Sequence, residues 1–222
     1  MRRQNIIRFS AVLAALCLMG GCSTAKTETI TLSDGNTIEL MVESVNEEFG
    51  TTTYKNSAVW SYDAICDALS IGGREIEAPL TLEDFGSDYS LEMETFDYND
   101  RDKEIHAGLI FNQQKIGAVA ITDCANTDYF ADKKINMLAL GLSPEENPVD
   151  FSDITINGIN AGATREEVIA SLGIPINEIK SDNGRTSLFY KALPDKNSYS
   201  NSIIIVLTEN KVVNINIMLQ MF

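Results

Sequence analysis

The sequence predicts an α+β protein of two tandem modules, each with short helices packed on an antiparallel β-sheet. Three observations predict it. Short β-prone runs meet at tight-turn signals, a capped helical turn stands in each half, and the order of these elements recurs. The chain has 222 residues, 44% of them hydrophobic, enough for one domain or two small ones and too apolar for a disordered acidic tail.

The elements follow in order. Residues 30–32 and 37–42 flank Ser33-Asp34-Gly35-Asn36, and Asp-Gly between β-prone flanks predicts a hairpin. Thr51–Tyr54 is a further short strand. Residues 58–69 place Val59, Tyr62, Ile65, Cys66 and Leu69 at the i, i+3, i+6, i+7, i+10 spacing of one helical face, with Ser57 set to cap it. Thr81 opens a short helical turn over 82–85, closed by Gly86, and an acidic polar segment covers 97–104. Residues 109–111 and 115–121 form a second hairpin, and 134–142 the last strand of this half. The two prolines within 143–148 mark a linker.

In the second half, residues 154–156 form a strand ending at Asn157-Gly158. Thr164 and Glu167 make a capping box: the threonine hydroxyl accepts from the amide at the third helical position, and Glu167 reaches back to the cap amide. Val168, Ile169 and Leu172 give the helix an apolar face, with Gly173 as its stop and Pro175 just beyond. Residues 188–190 are a strand, and 203–207 with 211–218 a closing hairpin. Two alignments carry the internal repeat. Leu109-Ile110-Phe111 with Lys115-Ile116 matches Ile205-Val206-Leu207 with Lys211-Val212 at an offset of 96. Ile71, Thr81, Asp84 and Gly86 echo Ile156, Thr164, Glu167 and Gly173, the two caps lying 83 residues apart.

The first residues read as an address. Arg2, Arg3 and Arg8 precede an apolar run over 9–19, and Gly20-Gly21 lead into Cys22, the pattern of a secretory signal over 1–21. The run falls short of the roughly 20 apolar residues a spanning helix needs. Leu18-Met19-Gly20-Gly21-Cys22 resembles the lipobox of bacterial lipoproteins. That resemblance implies cleavage before Cys22 and a diacylglyceryl thioether with palmitate-type chains on it, an anchor on the extracytoplasmic side of the cell membrane or outer membrane. Two chains hold stably where one does not. Residues 22–29 are then the lipidated cysteine and a polar tether. Removing the three arginines before Cys22 leaves 14 basic against 32 acidic residues, a net charge of −18. So acidic a body excludes nucleic acid as a partner, and taken as a whole it is repelled by anionic headgroups.

A second resemblance rests on residues 157–175, where Gly162, Thr164, Glu166, Glu167, Val168, Leu172, Gly173 and Pro175 fit a G-x-T-x-E-E-V-x-x-x-L-G-x-P pattern. It is similar to the SmpA/OmlA (BamE-like) bacterial lipoproteins and, more distantly, to β-lactamase-inhibitor-protein-like (BLIP-like) modules. The likeness covers 153–222 well and 71–142 faintly. It implies a helical element on one face of an antiparallel sheet, duplicated in tandem, and protein binding rather than catalysis. The chain thus divides into a signal over 1–21, the tether over 22–29, an N-terminal α+β module with a hairpin extension over 30–142, and a C-terminal BLIP-like module over 149–222.

Little else carries chemistry. His106 is the only histidine, and no Gly-x-Ser-x-Gly elbow supplies a nucleophile for it. Cys66 or Cys124 pairs with it only if the fold brings them together. Cys66 and Cys124 are either a disulfide of an exported chain or two buried thiols. Asp97 to Asp102 departs from a calcium loop, having Arg101 and Asp102 where an oxygen ligand and glycine belong, and reads as a solvated acidic turn. Glu166 and Glu167 favour the positive end of a helix. No catalytic residue, metal or cofactor is expected. The preferred function is a membrane-anchored lipoprotein that binds a protein or an envelope component through the sheet face away from the helices, with Tyr98, Tyr129 and Tyr199 as candidate contacts. The alternative is an extracytoplasmic ligand-binding or hydrolytic lipoprotein with a carboxylate-based site, which requires a deep pocket with convergent polar groups.

Overall fold

A computed structural model describes residues 26–76, 80–99, 104–121, 134–141, 154–191 and 201–220, with 93–99 and 220 described by their backbone alone. Cys22, Cys124, Tyr129, Tyr199 and the expected linker over 143–148 lie outside the described residues.

The fold is predominantly β, which corrects the expectation of two tandem α+β modules. Strands β1 (Thr27–Thr31), β2 (Thr37–Asn46), β3 (Thr51–Tyr54), β6 (Tyr89–Asn99), β7 (Glu104–Phe111), β8 (Gln114–Ile121), β9 (Ile135–Leu140), β11 (Asn177–Lys180), β12 (Arg185–Lys191), β13 (Ser202–Thr208) and β14 (Lys211–Gln220) form one sheet. Its order is β1-β2-β3-β11-β12-β13-β14-β9-β8-β7-β6, antiparallel throughout. A separate three-stranded sheet has the order β10-β4-β5, from Ile154–Ile156, Leu69–Ile71 and Arg74–Glu75.

Two physical reasons underlie the correction. Edge strands present unpaired amides and carbonyls, and here β9 and β14 satisfy theirs on one another, from Ile217 opposite Leu140 to Gln220 opposite Met137. The helices are also too short to make layers of their own: α1 (Tyr62–Ala68), α2 (Leu82–Phe85) and α3 (Arg165–Leu172) span 7, 4 and 8 residues. Strand β1 takes in Thr27, Glu28 and Thr29, ahead of the first strand residues the sequence predicts.

All three helices bury their apolar residues in one cluster on one face of the sheet. Ile65 and Cys66 of α1, Phe85 of α2, and Val168, Ile169 and Leu172 of α3 share it with Leu109, Val119, Leu138, Ile205 and Ile217. Helix α1 begins later than its periodicity predicts. Ala58 lies outside the helix and donates its amide to the Ile174 carbonyl at 2.7 Å, so Ser61 rather than Ser57 becomes the cap, its Oγ accepting from the Ala64 amide at 3.1 Å.

What recurs within this sheet is a corner. The cap Thr81 of α2 bridges Lys134, and Ile135 donates to the Leu80 carbonyl at 2.8 Å; the cap Thr164 of α3 bridges Lys211, and Val212 donates to the Ala163 carbonyl at 2.8 Å. Gly86 and Gly173 end the two helices at φ of 92° and 83°, a region costly for other residues. The corners therefore equate β9 with β14. The hairpin alignment at an offset of 96 instead equates β8 with β14 and is one strand out of phase. The two hairpins look alike because both use a two-residue turn at positive φ, Asn112-Gln113 and Glu209-Asn210.

Candidate functional site

The face of the sheet turned away from the helices departs from the usual rule for antiparallel sheets, in which inward apolar residues alternate with outward polar ones. Strand β13 is apolar on both sides: Ile203, Ile205 and Leu207 are buried in the core, while Ile204 and Val206 are half-buried on the other face. The register carries this row sideways. Phe189 lies opposite Ile204 and Ser187 opposite Val206, with Asn216 and Asn214 on their other flank. Met218, 36% exposed, continues the row beside β9, where Met137 is half-buried. On β3 and β11 the face is uncharged, with Ile179 beside Thr51 and Ser187, and Thr53 Oγ1 donating to Asn177 Oδ1 at 2.9 Å.

Charge is distributed unevenly over this surface. By register it carries Arg185, Lys191 and Lys211 at the strand ends, and no Asp or Glu from β3, β11, β12, β13, β14, β9 or β8. At its margin Lys115 of β8 meets Glu92 of β6 at 2.8 Å, and His106 of β7 meets Glu104 at 3.0 Å. A contact surface depleted of carboxylates, with a Phe, two Met and small amides at its centre, has the composition of an interface core.

The opposite side holds a charged cluster. Arg165, the first residue of α3, points into the sheet, with Nε and Nη2 3.0 and 2.7 Å from Glu178 Oε2, and Nη2 3.1 Å from Glu28 Oε1. The Tyr54 hydroxyl donates to the same Glu178 oxygen at 3.1 Å, and Lys180 Nζ stands 3.5 Å from Oε1. Burial works against the charge of Arg165, but Glu178 and Glu28 more than offset it and raise its pKa. Burial, then the negative charge of Glu178 and Glu28, pushes the Tyr54 hydroxyl well above the usual tyrosine range. Burial likewise raises the Tyr190 hydroxyl, which donates to the Gly173 carbonyl at 3.1 Å. Among the described residues Glu178 is the one buried charged residue, its side chain 3% exposed, and the cluster around it joins β1, β3, β11 and α3.

Two concavities lie near α3. One, of about 160 Å³, is lined by Leu32, Ser33, Asp34, Thr164, Glu166, Glu167 and Ala170. Its carboxylates are engaged locally. Asp34 accepts from the amide and side chain of Asn36, Glu166 from Asn210 Nδ2 at 3.0 Å, and Glu167 from the Thr164 amide at 2.8 Å. The Thr164 hydroxyl accepts in turn from the Glu167 amide at 3.3 Å, completing the box. The other concavity is an open depression over the loop 157–163. Among the described residues, no group of three or more His, Cys, Asp or Glu is placed to hold a metal.

Cys66 is a buried free thiol whose pKa is raised by burial, beside the Tyr62 hydroxyl; Cys124 lies outside the described residues. His106 sits on the open face and Cys66 in the core on the other side of the sheet, so they cannot form a thiol–imidazole pair. The calcium-like stretch does not start as a loop: Asp97, Tyr98 and Asn99 pair with His106, Ile105 and Glu104 in β6 and β7. Sequence reasoning offered Tyr98, Tyr129 and Tyr199 as contacts on the face away from the helices; the backbone of Tyr98 pairs with Ile105 of the core face, Tyr129 and Tyr199 lie outside the described residues, and the apolar row itself was missed. The signal was in the uninterrupted run Ile203-Ile204-Ile205-Val206-Leu207, too long to bury on one face.

No protein-family model and no curated protein matches this chain. The likeness to BamE-like and BLIP-like modules rests on the quoted motif alone.

Proposed function

We propose that the protein is a lipid-anchored extracytoplasmic lipoprotein that binds an envelope component through the open face of its sheet. The observation that carries this reading is the apolar row of Phe189, Ile204, Val206, Met137 and Met218, on central strands whose open face bears no carboxylate. Leaving such a row against water forgoes burial worth about 25 cal/mol per Å² of apolar surface, a gain that a contact recovers. The lipobox-like stretch ending at Cys22 supplies the anchor. The carboxylates near α3 are held by caps and turns, which favours binding over acid–base chemistry there.

Site-directed photocrosslinking in intact cells tests the proposal. A photoreactive residue at Ser187, on the open face, gives discrete adducts, and one at Asp67, exposed on α1, does not. Equal labelling at both positions, or adducts from Asp67 alone, refutes it.

A further inference from the structure

The two sides of the sheet differ in charge. Helices α1, α2 and α3 present Asp63, Asp67, Glu83, Asp84, Glu166 and Glu167, and their one cation, Arg165, is turned inward onto Glu28 and Glu178. The opposite side carries Arg185, Lys191 and Lys211 around the apolar row on its central strands, while its carboxylates Glu39, Glu92 and Glu104 stand on the outer strands β2, β6 and β7, Glu92 against Lys115 and Glu104 against His106. A chain with a net charge of −18 beyond its signal therefore has an acidic helix side and a sheet side that is basic over its central strands and near neutral as a whole. Held near an anionic surface, such a body turns: the helix side is repelled and the sheet side attracted, over distances of a Debye length, about 8 Å at physiological salt.

From this we infer that the open face is laid against anionic phospholipid headgroups, so that the envelope component it binds is the bilayer itself; the inference rests on the proposed anchor. Covalent geometry favours it. Strand β1 starts five residues after Cys22, so the sheet begins within about 18 Å of the lipidated position, at no more than about 3.6 Å per residue. Over so short a reach the orientation of the body decides what touches the membrane. The whole-chain repulsion expected from net charge holds for the helix side and fails for this face.

The test uses the full lipidated chain on vesicles of phosphatidylcholine alone, or with about a third phosphatidylglycerol, each carrying a headgroup nitroxide lipid. Trp60 is the only tryptophan and is buried in the core, so it reports little quenching in the wild type. The variant Phe189→Trp adds an indole on the open face. Its quenching is expected to be at least about two-fold stronger on the anionic vesicles and to fall back at 1 M salt, where the Debye length is about 3 Å. Lys191→Glu with Lys211→Glu, checked for native circular dichroism, is expected to abolish the gain. Equal quenching on both vesicle types overturns the inference. So does equal quenching joined to protection of the added indole in native membranes only, which assigns the face to a protein partner. Failure to stay on neutral vesicles refutes the anchor separately. In that case, Lys191- and Lys211-dependent pelleting with anionic vesicles at low salt still supports the face, and its absence overturns it.

Discussion

Arg165 does two things at once: it opens α3 at the N1 position and carries the positive charge that makes Glu178 tolerable inside the sheet. A buried carboxylate without its partner is far more costly than the pair is stabilising. Arg165→Ala is therefore expected to lower the unfolding free energy by about 3–5 kcal/mol, read from denaturant melts. Arg165→Met combined with Glu178→Met should recover most of that loss; equal destabilisation by single and double variants would contradict the pairing. The sequence showed Arg165 only as part of a helix start. Glu178 was hidden because a lone acid within Asn177-Glu178-Ile179-Lys180 looks like any outward strand residue, until the register places it opposite Leu188 on the core face.

Among the elements, those with local signals were legible. The Asp34-Gly35 hairpin, the turn of α2, the boxed helix α3 and both two-residue hairpins follow from turn chemistry, capping and period-2 alternation. Strand β6 was not, because the charged residues around Asp97 read as a solvated segment while the backbone pairs with β7 across them. The start of α1 was set by a distant partner, the Ile174 carbonyl. Gly117 shows a constraint of the same non-local kind. Strand β8 passes so close to β9 there that a β-carbon would collide with the Ala139 carbonyl. Gly117→Ala is expected to cost about 1–3 kcal/mol through forced backbone shift, with hydrogen exchange accelerating in β8 and β9 first. An unchanged melting temperature would show that the sheet yields freely at this point.

For the whole molecule, the proposed anchor and the sheet have to be considered together. Cys22→Ala is expected to move the protein from the membrane to the soluble extracytoplasmic fraction while its circular dichroism stays β-rich, since β1 begins beyond the cysteine. Retention of the variant in membranes would refute lipid anchoring through Cys22. The charge asymmetry behind the proposed orientation exists only at this scale. Residues as far apart as Asp63, Glu83 and Glu167 come to one side of a sheet whose other side collects Arg185, Lys191 and Lys211. By itself the sequence determined the local pieces: the turns, the caps, the apolar alternation, the acidic balance and the signal-like start, because each depends on neighbours within a few residues. Only the tertiary structure decided that β9 and β14 join to make one sheet, that Glu178 points inward, and that the central strands of one face keep their apolar residues without carboxylates. Those features depend on strand register, which long-range pairing sets and a one-residue slip would invert.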